Sequence, residues 1–158
     1  LAILSGGLKV GVAAFPDGHP SSNFDLEKDI EVLLRKEELG ATFATTQFFF
    51  DVDKWQQLVE RLRKRGSKLP IIAGILPITN LKQLARMVEL SGVQIPEQIS
   101  NRFKNQSEDS NAVRDIGIDI ATEMGRTLIE MNVPGIHFYT MNTAESTIKI
   151  ARNLGLAK

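Results

Sequence analysis

The sequence predicts an α/β fold built from four β–α units. Apolar and β-branched runs alternate four times with stretches whose apolar residues recur at helical spacing. Glycines and prolines separate the two kinds of segment. Alternating units of this type form a parallel sheet covered by helices, with right-handed crossovers. Four units are half of an eight-stranded barrel and also suffice for a small open sheet, and their spacing does not decide between the two.

Four segments have the composition of strands. Residues 8–15 are mostly apolar and stop at Pro16, and residues 42–49 combine β-branched with aromatic side chains. Residues 70–76 form a continuous apolar run, as in a strand covered on both faces. Residues 136–141 follow a Pro–Gly turn. We therefore predict four strands at these positions.

Apolar residues at helical spacing predict a helix after each strand, and a further short and a further long helix between the third unit and the fourth strand. The first helix is predicted to follow a cap at Ser21, Ser22 or Asn23, to end at Gly40, and to bury Leu26, Ile30, Leu33 and Leu34. The second, capped by Asp51 or Asp53 and ended by Gly66, buries Trp55, Leu58, Val59 and Leu62. The others are predicted from Asn80 to Gly92, from Ile95 to Phe103, over residues 113–131, and from Ala144 with Ile148, Ala151 and Leu154 buried.

Length and composition limit the classes of protein to consider. A chain of 158 residues fits one domain, which we expect to span residues 1–158. Nineteen basic and nineteen acidic residues leave no net charge, so we expect no nucleic-acid and no membrane partner. The absence of cysteine excludes disulfides and thiolate metal sites and suits a cytoplasmic location. There is no signal-peptide pattern, and the first residue is not Met, which is consistent with a chain that starts partway through a larger protein.

Parallel α/β folds carry their chemistry where the strands end. Those ends are predicted at residues 15–19, 47–51, 76–80 and 139–143. The second contains Gln47, whose amide can donate twice and accept twice and needs partners if it is buried. Either the neighbouring backbone supplies them, or the amide is held for a flat, hydrogen-bonding ligand beside an aromatic wall. Because Phe48, Phe49 and Phe50 alternate faces, at most two of their rings can line such a pocket.

Histidine, aspartate and tyrosine side chains give weaker signals. Two histidines are too few for most histidine metal sites; His137 lies in an apolar strand and is predicted to be a core histidine with its hydrogen bonds satisfied. His19 lies in a loop at the catalytic edge, where it either contacts a ligand or shapes the turn. Asp17 and Asp51 could act as acids or bases but are equally typical of turns and caps, and capping is favoured for Asp51. Tyr139 needs a partner for its phenol if it is buried.

Five separated motifs resemble those of the methylenetetrahydrofolate reductase family. They are GVAAFPDGHP, GATFATTQFFFD, PIIAGILPITN, SGVQIP and PGIHFYTMN, in that order, over nearly the whole chain. The resemblance implies a (β/α)8 TIM-type barrel of which this chain supplies about the last four β/α units. It also implies FAD as cofactor and the reduction of 5,10-methylenetetrahydrofolate to 5-methyltetrahydrofolate by NADH or NADPH, in one-carbon metabolism and methionine synthesis. The complete enzyme is expected to be a homo-oligomer.

The resemblance also implies roles for single residues at the substrate and the flavin. Gln47 matches a glutamine that hydrogen-bonds the pterin ring of folate, and Phe103 resembles an aromatic residue that covers the bound substrate. Phe15 stands where the family has an aromatic residue at the flavin, and His19 matches a histidine that contacts FAD.

Three residues of the first helix, Asp29, Arg35 and Lys36, match polar or basic positions near the nucleotide portion of FAD. Their alternative interpretation is a solvated helix face on which Glu31 pairs with Arg35 at a spacing of four residues. One position departs from the family, because Thr143 stands where many relatives have an arginine that helps hold folate or the nicotinamide cofactor.

No catalytic residue is assigned within this chain. The resemblance implies that the glutamate general acid, which protonates a folate nitrogen as the five-membered ring opens, lies upstream of residue 1. A different class of function is a catalytically silent half-barrel that acts as a binding or assembly module and dimerises to cover its strand edges. A third alternative, an open α/β domain of another function, is disfavoured by the five motifs.

Overall fold

The computed structural model describes residues 7–108 and 110–157. In this part of the chain strands and helices alternate as predicted, with three helices between the third and fourth strands. The strands are β1 Gly11–Ala14, β2 Phe43–Phe48, β3 Ile71–Ile75 and β4 Ile136–Phe138. The helices are α1 Leu26–Glu38, α2 Val52–Lys64, α3 Leu81–Ser91, α4 Glu97–Arg102, α5 Asn111–Glu130 and α6 Glu145–Asn153. None of these described helices is long and apolar enough to cross a membrane.

The described strands form one parallel sheet in the order β1-β2-β3-β4. Ala13 of β1 pairs with Thr45 of β2, and Ala73 of β3 pairs with Ile136 of β4. Doubly wound sheets reverse their strand order at the crevice that binds the ligand. Here the order follows the chain without reversal, as in successive strands of a (β/α)8 barrel. The strand order therefore favours the barrel type over the open sheet that spacing alone had left as an alternative.

The helices cover one face of the sheet. Along β2, Ala44, Thr46 and Phe48 are buried, whereas the alternate residues Thr45 and Gln47 are partly exposed. Helix α1 packs against α2, α2 against α5, and α5 against α6, which is the order expected of a single helix layer. The face that bears Gln47 is consequently open, and β1 and β4 are the edges of the sheet in the described part of the chain.

The core lies between the sheet and this helix layer. Its largest fully buried side chains include Phe48, Leu58, Leu62, Ile71 and Leu128 of β2, β3 and the helices over them, and Phe49 directly after β2. Phe50 is buried as well, so all three consecutive phenylalanines pack inside. The aromatic wall that was one alternative for this segment does not form an exposed surface.

Side-chain caps define where the helices begin. Asp25, Asp51, Asn80 and Ser110 accept hydrogen bonds from backbone N–H groups in the first turns of α1, α2, α3 and α5. The predicted caps Asp51 and Asn80 are confirmed. The prediction of Ser21, Ser22 or Asn23 for α1 was wrong, because residues 20–22 form a short 3₁₀ helix of their own and α1 begins later.

Other predictions fail at the edges of the fold. His137 is exposed rather than in the core, because β4 is an edge strand and one face of the sheet is open. Ile148 is also exposed, and Ile150 is the fully buried apolar residue of α6. The strands predicted at residues 8–15 and 136–141 are longer than β1 and β4, which extend only where a neighbouring strand pairs with them.

Candidate functional site

Gln47 lies near the C-terminal end of β2, on the open face of the sheet. Its Oε1 accepts a hydrogen bond from the backbone N–H of Phe48 at 3.1 Å, which fixes which end of the amide is the oxygen. The Nε2 group has no hydrogen-bond partner among the described residues. The backbone therefore satisfies the amide oxygen, as one alternative expected, and a ligand for the NH₂ group stays a prediction.

The backbone around Gln47 departs from a regular β ladder. Strand β2 pairs with β3 through Thr45–Ile72 and then through Phe48–Gly74. Three steps along β2 thus match two steps along β3, a register shift of the β-bulge type. Bulges redirect side chains and occur often beside active sites. The sequence contained one signal of this feature, a glycine inside an apolar strand.

Side-chain hydrogen bonds replace the regular ladder at this bulge. Thr46 Oγ1 accepts from the backbone N–H of Gly74 at 2.8 Å, and the Thr46 carbonyl accepts from the Tyr139 hydroxyl at 2.9 Å. The prediction that the Tyr139 phenol would find a partner is confirmed. Burial raises the pKa of this phenol above its ordinary value of 10.0.

A groove of about 520 Å³ lies between α1 and the loop that follows β1. Four of the five residues predicted to bind the cofactor line it, namely Phe15, His19, Asp29 and Lys36. Arg35, the fifth, does not line the groove. The structure therefore brings four of the predicted cofactor residues together and leaves one apart.

Arg35 is exposed and pairs with Glu38 at 2.8 Å. The alternative prediction that it would pair with Glu31 was wrong, since Glu31 lies 4.0 Å from Arg65, the residue directly after α2, instead. Both contacts are on the surface, where ion pairs contribute little to stability. The exposed-face interpretation thus applies to Arg35 and not to its neighbour Lys36.

Hydrogen bonds hold the loop on the groove wall. Asp29 Oδ2 accepts from the backbone N–H of His19 at 2.6 Å and from the Ser22 hydroxyl at 3.1 Å. His19 Nδ1 accepts from the backbone N–H of Ser21 at 3.0 Å. The His19 ring meets the Phe15 ring edge-on, with their centroids 4.4 Å apart. Asp29 thus holds the loop in place through these hydrogen bonds. His19 both shapes the turn and presents its ring to the groove.

The groove combines apolar surface with positive charge. Ala14, Val32, Leu33 and Leu58 contribute the apolar lining. The charged groups are the ammonium of Lys36, the ammonium of Lys28, which lies 3.6 Å from Asp25, and the carboxylate of Asp29, which the loop holds. Lys36 forms no ion pair with a carboxylate of the described residues. A concave site of this kind suits a ligand that has a flat ring and an anionic group.

An ion pair joins this loop to α2. Lys54 Nζ contacts Oδ1 of Asp17, whose side chain is only 5% exposed. Oδ2 of Asp17 has no hydrogen-bond partner within the described ranges. The sequence interpretation of Asp17 as a turn residue or an acid missed this contact. A signal was present in Lys54, because a cation in the first turn of a helix is unfavourable unless a carboxylate is near it.

The remaining candidates lie elsewhere. Phe103 follows α4 and is buried in the core, away from both the groove lining and the open face. Thr143 is exposed and donates through Oγ1 to the Thr140 carbonyl at 3.0 Å. A larger cavity of about 700 Å³ lies beside the start of α2. Four of its twelve lining residues are acidic, among them Asp51, and none of the residues predicted to bind substrate or cofactor lines it. No group of three metal-binding side chains occurs in residues 7–108 and 110–157.

Comparison with known proteins gives a consistent set of relatives. A protein from Salmonella typhimurium named 5,10-methylenetetrahydrofolate reductase is 36% identical over 147 residues, which are 93% of this chain and 49% of the relative. Methylenetetrahydrofolate reductase 1 of Schizosaccharomyces pombe is also 36% identical over 147 residues, covering 93% of this chain and 24% of the relative. The chain thus spans half or less of the length of these two relatives.

Among solved structures, an uncharacterised Clostridium thermocellum protein that binds two copies of 5-methyl-5,6,7,8-tetrahydrofolic acid has a similar fold. Its TM-score is 0.66 at 19% identity, over 94% of this chain and 53% of that protein. At this identity the likeness concerns the fold alone. The family model described as methylenetetrahydrofolate reductase matches residues 4–155. With a match over almost its whole length and relatives at 36% identity, the chain belongs to the methylenetetrahydrofolate reductase family.

Proposed function

We propose that this chain forms part of an FAD-dependent enzyme that reduces 5,10-methylenetetrahydrofolate to 5-methyltetrahydrofolate with NADH or NADPH. The observation that carries the proposal is the Gln47 amide, whose NH₂ donors are unpaired among the described residues at the C-terminal edge of a parallel sheet. Ligands of barrel enzymes bind at this edge. The names of the relatives and the folate bound by the C. thermocellum protein support the substrate class.

Gln47 is proposed to bind the pterin ring of folate. A pterin is a flat heterocycle with hydrogen-bond acceptors along its edge, and the Nε2 group of Gln47 offers two donors. The Oε1–Phe48 hydrogen bond limits rotation of the amide, so little side-chain entropy is lost on binding. Phe103 is buried directly after α4. We propose that it supports the substrate site indirectly, by packing in the core, and does not contact the substrate.

The groove beside α1 is proposed to hold the nucleotide portion of FAD. Its residues fit that group: Lys36 offers an unpaired cation for a phosphate, Ser21 offers a hydroxyl group, and the Phe15 ring offers an aromatic surface. When bound, FAD would accept a hydride from the nicotinamide cofactor and pass it to folate. The contribution of this chain is to bind and orient the two ligands, and no proton donor is assigned to it.

The pterin role is tested with Gln47→Ala in the complete reductase. One lost neutral hydrogen bond corresponds to about 1 kcal/mol, so kcat/KM for folate should fall about five- to tenfold. Reduction of the flavin by NADH or NADPH, which needs no pterin contact, should be unchanged. Gln57→Ala is the matched control, since Gln57 is exposed on α2. Equal losses in both half-reactions would refute the pterin-specific role.

The open sheet face favours a second candidate, a half-barrel that binds or assembles with another protein and has no catalytic activity. Such a module would cover the open face and the edges that β1 and β4 form among the described strands. The visible absorbance of the purified chain tests the silent module. A flavin spectrum that bleaches with NADH or NADPH would exclude it, whereas colourless oligomeric protein would show that this chain is not active by itself.

A further inference from the structure

We propose that Tyr139 is a positioning residue for Gln47, acting through the carbonyl of Thr46. This inference rests on the proposed function, in which Gln47 binds the pterin. The Tyr139 hydroxyl donates to the Thr46 carbonyl at 2.9 Å, although the two residues are 93 positions apart in the chain. Tyr139 thus reaches from the end of β4, across β3, to the bulge in β2.

The peptide group explains how this hydrogen bond acts on Gln47. The carbonyl of Thr46 and the N and Cα atoms of Gln47 belong to one planar peptide unit. Fixing the direction of that carbonyl therefore fixes the plane from which Gln47 departs. In a regular strand the ladder would hold this plane, but at the bulge the ladder is interrupted between Thr45 and Phe48.

Both flanks of Gln47 contact the same tyrosine. Besides the bond to Thr46, the Tyr139 ring packs edge-on against the Phe48 ring with centroids 5.8 Å apart. The Tyr139 backbone is itself anchored, because its N–H donates to the Ile75 carbonyl of β3 at 2.9 Å. The phenol is thus held from a rigid position while its hydroxyl restrains the bulge.

Gly74 makes this arrangement sterically feasible. A Cβ atom at Gly74 would lie 2.5 Å from the Thr46 carbonyl oxygen and 2.8 Å from Cε2 of Tyr139. It would also lie 3.2 Å from the Gln47 carbonyl oxygen. Any larger residue would therefore displace the tyrosine, the bulge or both. Because Gly74 of the apolar strand β3 has no side chain, Tyr139 has room to cross β3 and reach β2.

The test compares Tyr139→Phe, Gln47→Ala and the double variant in the complete reductase. Tyr139→Phe removes only the hydroxyl and keeps the ring that packs on Phe48. We expect it to raise the KM for folate about three- to tenfold, the effect of one lost hydrogen bond, with kcat changed less than twofold. Flavin reduction by the nicotinamide cofactor should be unchanged, a result that general destabilisation of the barrel would not give.

The double variant decides whether Tyr139 acts through Gln47. If it does, Tyr139→Phe should add less than about a twofold effect once Gln47 is alanine. If the effects of the two substitutions on the KM for folate multiply in the double variant, the inference is overturned. It is also overturned if Tyr139→Phe leaves the KM for folate unchanged while Gln47→Ala impairs folate turnover. If Gln47→Ala itself leaves folate turnover unchanged, the proposed function fails, and the inference that rests on it fails too.

Discussion

Lys54 contacts the buried carboxylate of Asp17, and this ion pair ties the first turn of α2 to the loop after β1. The loop carries Phe15 and His19 on the wall of the groove, and α2 begins directly after the segment that contains Gln47. The pair thus joins the two parts of the candidate site. Removing one partner should destabilise the fold, because the other charge then stays buried without a counter-charge.

Lys54→Met should lower the free energy of unfolding by about 3 kcal/mol. This is the lower end of the cost of breaking a buried pair, because Lys54 remains 31% exposed. Adding Asp17→Asn should recover part of the loss, since the uncompensated charge is then gone. Urea unfolding measures both variants. Lys149→Met is the control, because the Lys149–Asp115 pair is exposed and should cost less than about 1 kcal/mol. Equal costs for Lys54→Met and Lys149→Met would contradict a structural role for the buried pair.

Two glycines of α5 provide a matched comparison of close packing. A Cβ at Gly117 would overlap the backbone carbonyl of Ile78, which cannot move away without shifting the loop after β3. A Cβ at Gly125 would meet Cδ1 of Leu154 at 2.6 Å, the end of a side chain that can change rotamer. Both substitutions gain about 1 kcal/mol of helix propensity. We therefore expect Gly117→Ala to destabilise the fold by at least about 2 kcal/mol more than Gly125→Ala. Denaturant midpoints of the two variants test this, and similar midpoints would show that the loop after β3 yields easily.

If the groove holds FAD as proposed, adjacent cations on α1 should differ in their effect on its binding. Lys36 lines the groove, whereas Arg35 points to Glu38 outside it. A charge-assisted hydrogen bond to a phosphate contributes about 1.5–3 kcal/mol, so Lys36→Met should weaken FAD binding about tenfold or more. Arg35→Met should change the affinity less than about twofold, because a screened surface charge contributes little. Titration of the apo form of the complete reductase with FAD measures both. Equal weakening would mean that net charge, rather than a contact in the groove, controls binding.

The sequence predicted those features that depend on neighbours along the chain. The stripe of α2 and its cap at Asp51 follow from residues within a few positions of one another, and the structure confirms both. Gln47 was singled out by its position at a strand end, which again is a local pattern. Local patterns are reliable here because helix periodicity and capping are set within one or two turns.

Features that depend on distant residues were missed. The Asp17–Lys54 pair and the bond from Tyr139 to the Thr46 carbonyl join positions 37 and 93 residues apart, and no spacing in the sequence encodes them. His137 was predicted in the core because its strand is apolar, but whether a strand is central or at an edge depends on the order of the whole sheet. The sequence thus predicted which elements form and missed the contacts that position the site.

Tyr139 should make the stability of the fold decline at alkaline pH. Burial raises its pKa above the ordinary value of 10.0, so the folded state holds the phenolic proton more tightly than the unfolded state does. The resulting stabilisation is complete below about pH 10 and is lost as the pH rises from there through the folded pKa. Tyr139→Phe should not show this pH-dependent loss of stability, which separates it from the titration of lysines in the same pH range.

Because the chain contains one tyrosine, the ultraviolet absorbance of tyrosinate reports on this residue alone. We expect its midpoint to lie above 10.0 in the folded chain and to return toward 10.0 in urea. A folded midpoint at or below the midpoint in urea would mean that the hydroxyl is open to water and that its bond to Thr46 does not persist in solution.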